Sequence, residues 1–183
     1  MSAEQNKSLI LQFYRAFDER KIDQAVELLA PNFVAHLAGI SQPLNREEFQ
    51  QFGMQFYLAF SEGEHKFEQI IIEGDKVVTC GTFIARHLGD FQGLPPTGKQ
   101  IKLAIMHIDR VENGKIVEHW GQGDALGLMQ QLGMVFLPGF ALLPRLAKSL
   151  IYRFLKSKTW GKTLVILKLS ANTLRKKIAN LYK

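Results

Sequence analysis

The last fifty positions of this 183-residue chain contain no aspartate or glutamate, and the whole chain has one cysteine, Cys80. A single thiol closes no intrachain disulfide and builds no cysteine-rich metal site, which fits a reducing compartment and makes the cytoplasm the expected location. Long apolar runs are missing too. The richest, MVFLPGFALLP, is far shorter than the ~20 residues a membrane-spanning helix needs. The first residues carry Glu4 and show helical spacing, which is not the pattern of a secretory signal. The five histidines have no paired ligand spacing, so neither metal nor cofactor is expected. GLPPTGK lacks the spacing of a phosphate loop, and no serine or cysteine has the surroundings of an activated nucleophile.

Charge is divided unevenly. Residues 134–183 hold eleven Lys or Arg, leaving twelve against all seventeen acidic residues in 1–133, or about −5 for the front and +11 for the tail. The expected domains are therefore 1–133 and a basic extension, 134–183. The high pI belongs to the tail and says nothing about what the front part binds.

Within the front part, apolar residues recur at helical spacing: Leu9, Ile10, Phe13 and Phe17, then Ala25, Val26, Leu28 and Leu29, then Phe49, Phe52, Phe56 and Phe60. Three helices are predicted, the third approached by Asn45 with Glu47 and Glu48 in its first turn. From Lys66 the period shortens to that of strands, with a tight turn at Gly74-Asp75. Helices followed by antiparallel strands mean an α+β fold, the helices lying on one face of the sheet. The rigid, irregular stretch GDFQGLPPTGK is expected to form a rim or lid, and ALGLMQQLG returns to a helix ended by Gly133.

The segment from Phe91 to Gly133 is the most informative. Asn113-Gly114 suits a two-residue type I′ turn, since both central residues must take positive φ. Counting back from that turn pairs Val111 with Ile116, Asp109 with Glu118, His107 with Trp120, Ile105 with Gln122 and Leu103 with Asp124. On this register His107, Trp120, Gln122 and Asp124 converge on one face, and His119 points away from Trp120. Asp109 and Glu118, a like-charge pair, are expected at the solvated end near the turn.

FQGLPPTGK, a strand, NGKIVEHW, Asp124 and GLMQQLG, together with LLAPNFVAHLAG and its His36, resemble the SnoaL-like polyketide cyclases (ester cyclases) of the nuclear transport factor 2-like superfamily. The resemblance covers residues 1 to about 133. It implies a cone in which a curved, mostly antiparallel sheet wraps around N-terminal helices and encloses a pocket, with dimerisation through the sheet. It further implies that an Asp after the Trp of the last strand acts as general acid and base in an aldol closure, the role it gives to Asp124.

Cyclase or isomerase chemistry on a small hydrophobic carbonyl compound is the expected activity, with Asp124 moving the proton and His107 or Gln122 steadying the enolate. Trp120, Leu103 and Ile105 are candidate pocket walls, and His36 enters only through the resemblance. The competing role for Asp124 is to cap the helix that follows it. A noncatalytic carrier of a hydrophobic ligand is the alternative for the whole protein.

Beyond Gly133, Leu143, Leu146, Leu150 and Phe154 form one stripe and Leu164, Leu167, Ala171, Leu174, Ile178 and Leu181 another, which predicts two basic amphipathic helices. Packing onto the domain or a second subunit, peripheral contact with an anionic membrane, and nonspecific nucleic-acid binding compete to explain them, the last without any reading motif. Liposome flotation separates the membrane reading from the other two.

Overall fold

The computed structural model describes residues 2–134 and 147–149. The two helices expected in the extension lie outside the described residues, apart from 147–149. In chain order the elements are α1 (Ala3–Asp18), α2 (Ile22–Glu27), β1 (Leu29–Leu37), α3 (Arg46–Ala59), β2 (Phe60–Glu73), β3 (Lys76–His87), β4 (Gln100–Glu112), β5 (Lys115–Gly123) and α4 (Ala125–Leu132).

The five strands form one sheet in the order β1-β5-β4-β3-β2, with β1 parallel to β5 and every other pair antiparallel. The segment around His36 is thus a strand in its own right. Pro31 is tolerated there because β1 is an edge strand, and the pairing with β5 is irregular between Leu29 and Val34.

Helix α1 buries Ile10, Phe13, Tyr14 and Phe17, one face at helical spacing. Within the helix the Phe13 ring meets Tyr14 and Phe17 edge-on at 5.1 and 5.0 Å, and Tyr14 in turn meets Phe67 of β2 edge-on at 4.9 Å, which fixes the helix over the sheet. Helix α3 begins with a reciprocal cap. The Glu48 N–H donates to Asn45 Oδ1 at 2.9 Å and the Asn45 N–H donates to Glu48 Oε2 at 2.9 Å. Gly133 ends α4 with φ of 103°, as its sequence position suggests.

The turn between β4 and β5 is the two-residue one, Asn113 and Gly114 having φ of 50° and 77°. Glu112 pairs with Lys115 and Val111 with Ile116 as expected, but the register then shifts. Val117 is an extra residue on β5, a β-bulge, and all later pairs slip by one: Arg110 with Glu118, Asp109 with His119, Ile108 with Trp120, His107 with Gly121 and Ile105 with Gly123.

This corrects the pairing derived from the turn alone. The unshifted register sets Asp109 against Glu118, two negative charges. The bulge instead brings Arg110 Nε to 3.0 Å from Glu118 Oε2 and buries both Ile116 and Val117. Because side chains alternate, one added residue sends His119 inward and Trp120 outward.

Deleting Val117 should return Trp120 to the inner face and abolish cooperative urea unfolding. Ile116→Val, at the same bulge, should cost only about 0.5–1.5 kcal/mol.

Candidate active site

A cavity of about 460 Å3 opens between α1, α3, α4 and the inner face of the sheet. Phe13 and Phe17 of α1, Phe49, Phe52 and Phe56 of α3, Leu103 and Ile105 of β4, and Leu128 and Met129 of α4 form most of its wall. Phe91 and Gln92 of the rim loop complete it. Into this wall are set Tyr14, Tyr57, His65, His107 and His119.

Two carboxylates hold two of the imidazoles. Asp109 is wholly buried, with Tyr14 Oη donating to its Oδ2 at 2.9 Å and His119 Nδ1 lying 2.7 Å from its Oδ1. An ionised carboxylate only accepts, so His119 presents its Nδ1–H to Asp109, and Nε2 is the nitrogen left to exchange a proton with a ligand. The second pair joins α1 to β2. Asp18 Oδ1 lies 2.6 Å from His65 Nδ1, its Oδ2 accepts from the His65 backbone N–H at 2.9 Å, and Tyr57 Oη donates to Oδ1 at 3.3 Å.

His107 lies between them, its ring 5.2 Å from that of His119 and 6.2 Å from that of His65. Both of its nitrogens are buried, and among the described residues neither has a hydrogen-bonding partner. Burial first, and then the neighbouring His119 and His65, hold its pKa well below the ordinary 6.5, so the ring is neutral at pH 7. Burial and then the Asp109 charge push the Tyr14 hydroxyl well above its usual value, so Tyr14 keeps its proton and stays a donor. Tyr57 is raised likewise, by burial and then by Asp18.

Gly121 permits a close approach at this point. A Cβ there would lie 2.8 Å from Leu37 Cδ2, 2.9 Å from His119 Nε2 and 3.5 Å from His107 Nδ1, so only a glycine lets Leu37 and the two rings close in on β5 at this position. Both rings line the cavity, where one can accept a proton while the other, neutral, offers a hydrogen bond.

A family model for SnoaL-like polyketide cyclase matches residues 8–132. The chain belongs to the SnoaL-like polyketide cyclase family. Its fold is accordingly the nuclear transport factor 2-like cone. Among curated relatives, aklanonic acid methyl ester cyclase DnrD of Streptomyces peucetius is 30% identical over 132 residues, covering 68% of this chain and 88% of its own. Nogalonic acid methyl ester cyclase of Streptomyces nogalater is 29% identical over 122 residues, 64% of this chain and 90% of the relative. Among solved structures, IdmH of Streptomyces antibioticus, described as a putative polyketide cyclase, superposes with a TM-score of 0.64 at 30% identity, covering 71% of this chain and 99% of that one. The family match ends at residue 132, so the basic extension is additional to the SnoaL-like part.

In this SnoaL-like chain the residues singled out by sequence separate into two groups. His107, Leu103, Ile105 and Gln122 line the cavity, Gln122 while exposed to solvent. Trp120 does not line it. Its ring is 48% exposed on the outer face and stacks on His36 at 3.8 Å, with His36 Nε2 3.5 Å from Glu118 Oε1. Both are corrections: the slipped register turns Trp120 outward, and His36, which pairs with it across β1 and β5, shares its face. Asp124 is exposed and caps α4, accepting from the Gly127 N–H at 2.9 Å, and it lies outside the cavity wall. Sequence reasoning missed Tyr14, His65, Asp18 and Tyr57, and it placed Asp109 in solvent and His119 on the wrong face.

His107 also leaves a thermodynamic mark. Its folded pKa is depressed, so below about pH 6.5 the unfolded chain takes up a proton that the folded one refuses, and stability falls with pH by up to ~1.4 kcal/mol per unit. In urea unfolding between pH 6.5 and 5, His107→Gln should lack that component of the slope.

Proposed function

We propose that the protein is a cyclase-like enzyme in which His119, backed by Asp109, is the base acting on a hydrophobic carbonyl compound. The observation that carries this reading is the pair of imidazoles set side by side in the cavity wall, rings 5.2 Å apart, one held by a carboxylate at Nδ1 and the other neutral and unpartnered among the described residues.

The chemistry follows from the groups in place. A C–H flanked by two carbonyls gives its proton to His119 Nε2, and Asp109 steadies the imidazolium that forms. The resulting enolate oxygen accepts a hydrogen bond from neutral His107, a donor of the kind worth roughly 3 kcal/mol when well aimed. Tyr14 holds the other oxygen of Asp109, which keeps the carboxylate turned toward His119. The carbon nucleophile then attacks a carbonyl of the same molecule. Apolar walls exclude water from the charged intermediate and strengthen each of these contacts. A cavity of about 460 Å3 is within the usual range for small-molecule sites and suits a flat aromatic polyketide ester of the kind named for the two cyclase relatives.

In this reading the acid/base role moves from Asp124 to Asp109 and His119, because Asp124 is exposed and engaged as a cap. A noncatalytic carrier, with the basic stretch 134–183 contacting an anionic surface, would retain ligand binding without turnover.

The dimer expected from the resemblance has its own support. Ile71, Val78, Ile108, Trp120 and His36 are paired successively across all five strands, a largely apolar row on the outer face. Ile71 and Trp120 are about half exposed, so a second copy would cover surface that is costly to leave in water.

With aklanonic and nogalonic acid methyl esters as probes, His119→Gln and Asp109→Asn should each slow ring closure by about 10²–10⁴-fold while Asp124→Asn leaves it unchanged, as followed by chromatography of the product. Closure unaffected by His119→Gln, or lost with Asp124→Asn in a folded protein, would return the role to Asp124; tight binding of either ester without conversion favours the carrier. Ile108→Lys should give a monomeric mass by light scattering, against a dimer for the unchanged chain.

A further inference from the structure

We infer that His65, held by Asp18, is a second proton-transferring residue of the same cavity, delivering a proton to the carbonyl oxygen that becomes the product hydroxyl. This rests on the reading of His119 as the base and adds to it the other half of the reaction.

The five histidines differ in ways that identify His65. His36 is on the outer face, stacked on Trp120. His87 is buried against Thr97, its Nδ1 3.1 Å from that hydroxyl, and is not part of the cavity wall. Three remain in the wall, on three strands: His65 on β2, His107 on β4 and His119 on β5. His107 has no carboxylate at either nitrogen, so nothing there supports a cation. His65 and His119 each have one, bonded at Nδ1. The cavity therefore contains two carboxylate-backed imidazoles separated by a neutral one.

The hold on His65 is tight. Asp18 grips both its backbone N–H and its ring, and is itself fixed by Tyr57. Since Nδ1 is committed to the carboxylate, any proton His65 exchanges with a ligand must be on Nε2. The Tyr14 ring packs against both His65 and His107, with centroids 5.0 and 5.1 Å away, and fills the space behind them.

An aldol closure needs two proton transfers at two atoms. At the first, the C–H bond breaks, its proton goes to His119 Nε2 and its electron pair passes into the enolate. At the second, that carbon forms a bond to the carbonyl carbon, the C=O π bond breaks, and the oxygen takes the Nε2 proton of protonated His65. His119 ends with one proton more and His65 with one fewer, and exchange with water restores both rings. Asp18 is a positioning residue that holds the ring at Nδ1 and leaves Nε2 for the transfer.

Separating the two transfers provides the test. In D2O, with the aklanonic and nogalonic esters, exchange of the acidic C–H reports the first transfer and ring closure reports both. His65→Gln, its fold checked by thermal melting, should keep exchange near the unchanged rate and slow closure by about 10²–10⁴-fold. Asp18→Asn, which retains a partner for the ring but removes the charge, should show the same split with a smaller loss. Closure at the unchanged rate in His65→Gln overturns the inference, as does parallel loss of exchange and closure in a folded variant. Retention of exchange in His119→Gln instead overturns the assignment of the base. Failure of the unchanged protein to exchange or close either ester overturns both.

Discussion

Side-chain parity along β5 is the constraint on which the site depends. A strand can present only every second residue to the core, so the identity of the buried set is fixed by a single count from the turn. Val117 changes that count by one. The change exchanges a repulsive Asp109–Glu118 pair for an attractive Arg110–Glu118 pair on the solvent side, and on the inner side it brings Asp109 opposite His119. One bulge thus resolves a surface conflict and forms a buried dyad in the same step.

Burying Asp109 is expensive. A carboxylate removed from water costs several kcal/mol before its partners are counted, and replacing such groups by apolar residues often stabilises a protein. Two hydrogen bonds offset part of that cost, one from α1 through Tyr14 and one from β5 through His119. The fold would not need this arrangement for stability, since Phe13, Phe33, Phe60, Ile101 and Ile116 already provide a dense core. Concentration of polar groups around one opening in an otherwise aromatic wall is what a reactive site requires.

Much of the architecture was readable from the chain. Helix faces in α1 and α3, the Asn45 cap, both tight turns and the helix ended by Gly133 follow from periodicity and from residues with a restricted set of conformations. The cavity-lining positions Leu103, Ile105 and His107 followed as well, because all three precede the bulge and share one strand's parity. Trp120, Asp109 and His119 were misplaced by a residue whose only local signal is that Ile116 and Val117, two adjacent apolar side chains, break the alternation of β5. Pairing Arg110 with Glu118 would have been the second hint. The His65–Asp18 contact joins positions 47 apart in sequence and has no local signature at all.

The outward position of Trp120 has an optical consequence. Its indole rests on His36 at the solvent side of the sheet, one strand thickness away from the chamber where a ligand would sit. Intrinsic tryptophan emission from this ring therefore follows the condition of the outer sheet face, including its coverage by another chain, and is a poor gauge of chamber occupancy. The aromatic side chains that would sense an occupant directly are Tyr14 and Tyr57, whose phenols are anchored to Asp109 and Asp18.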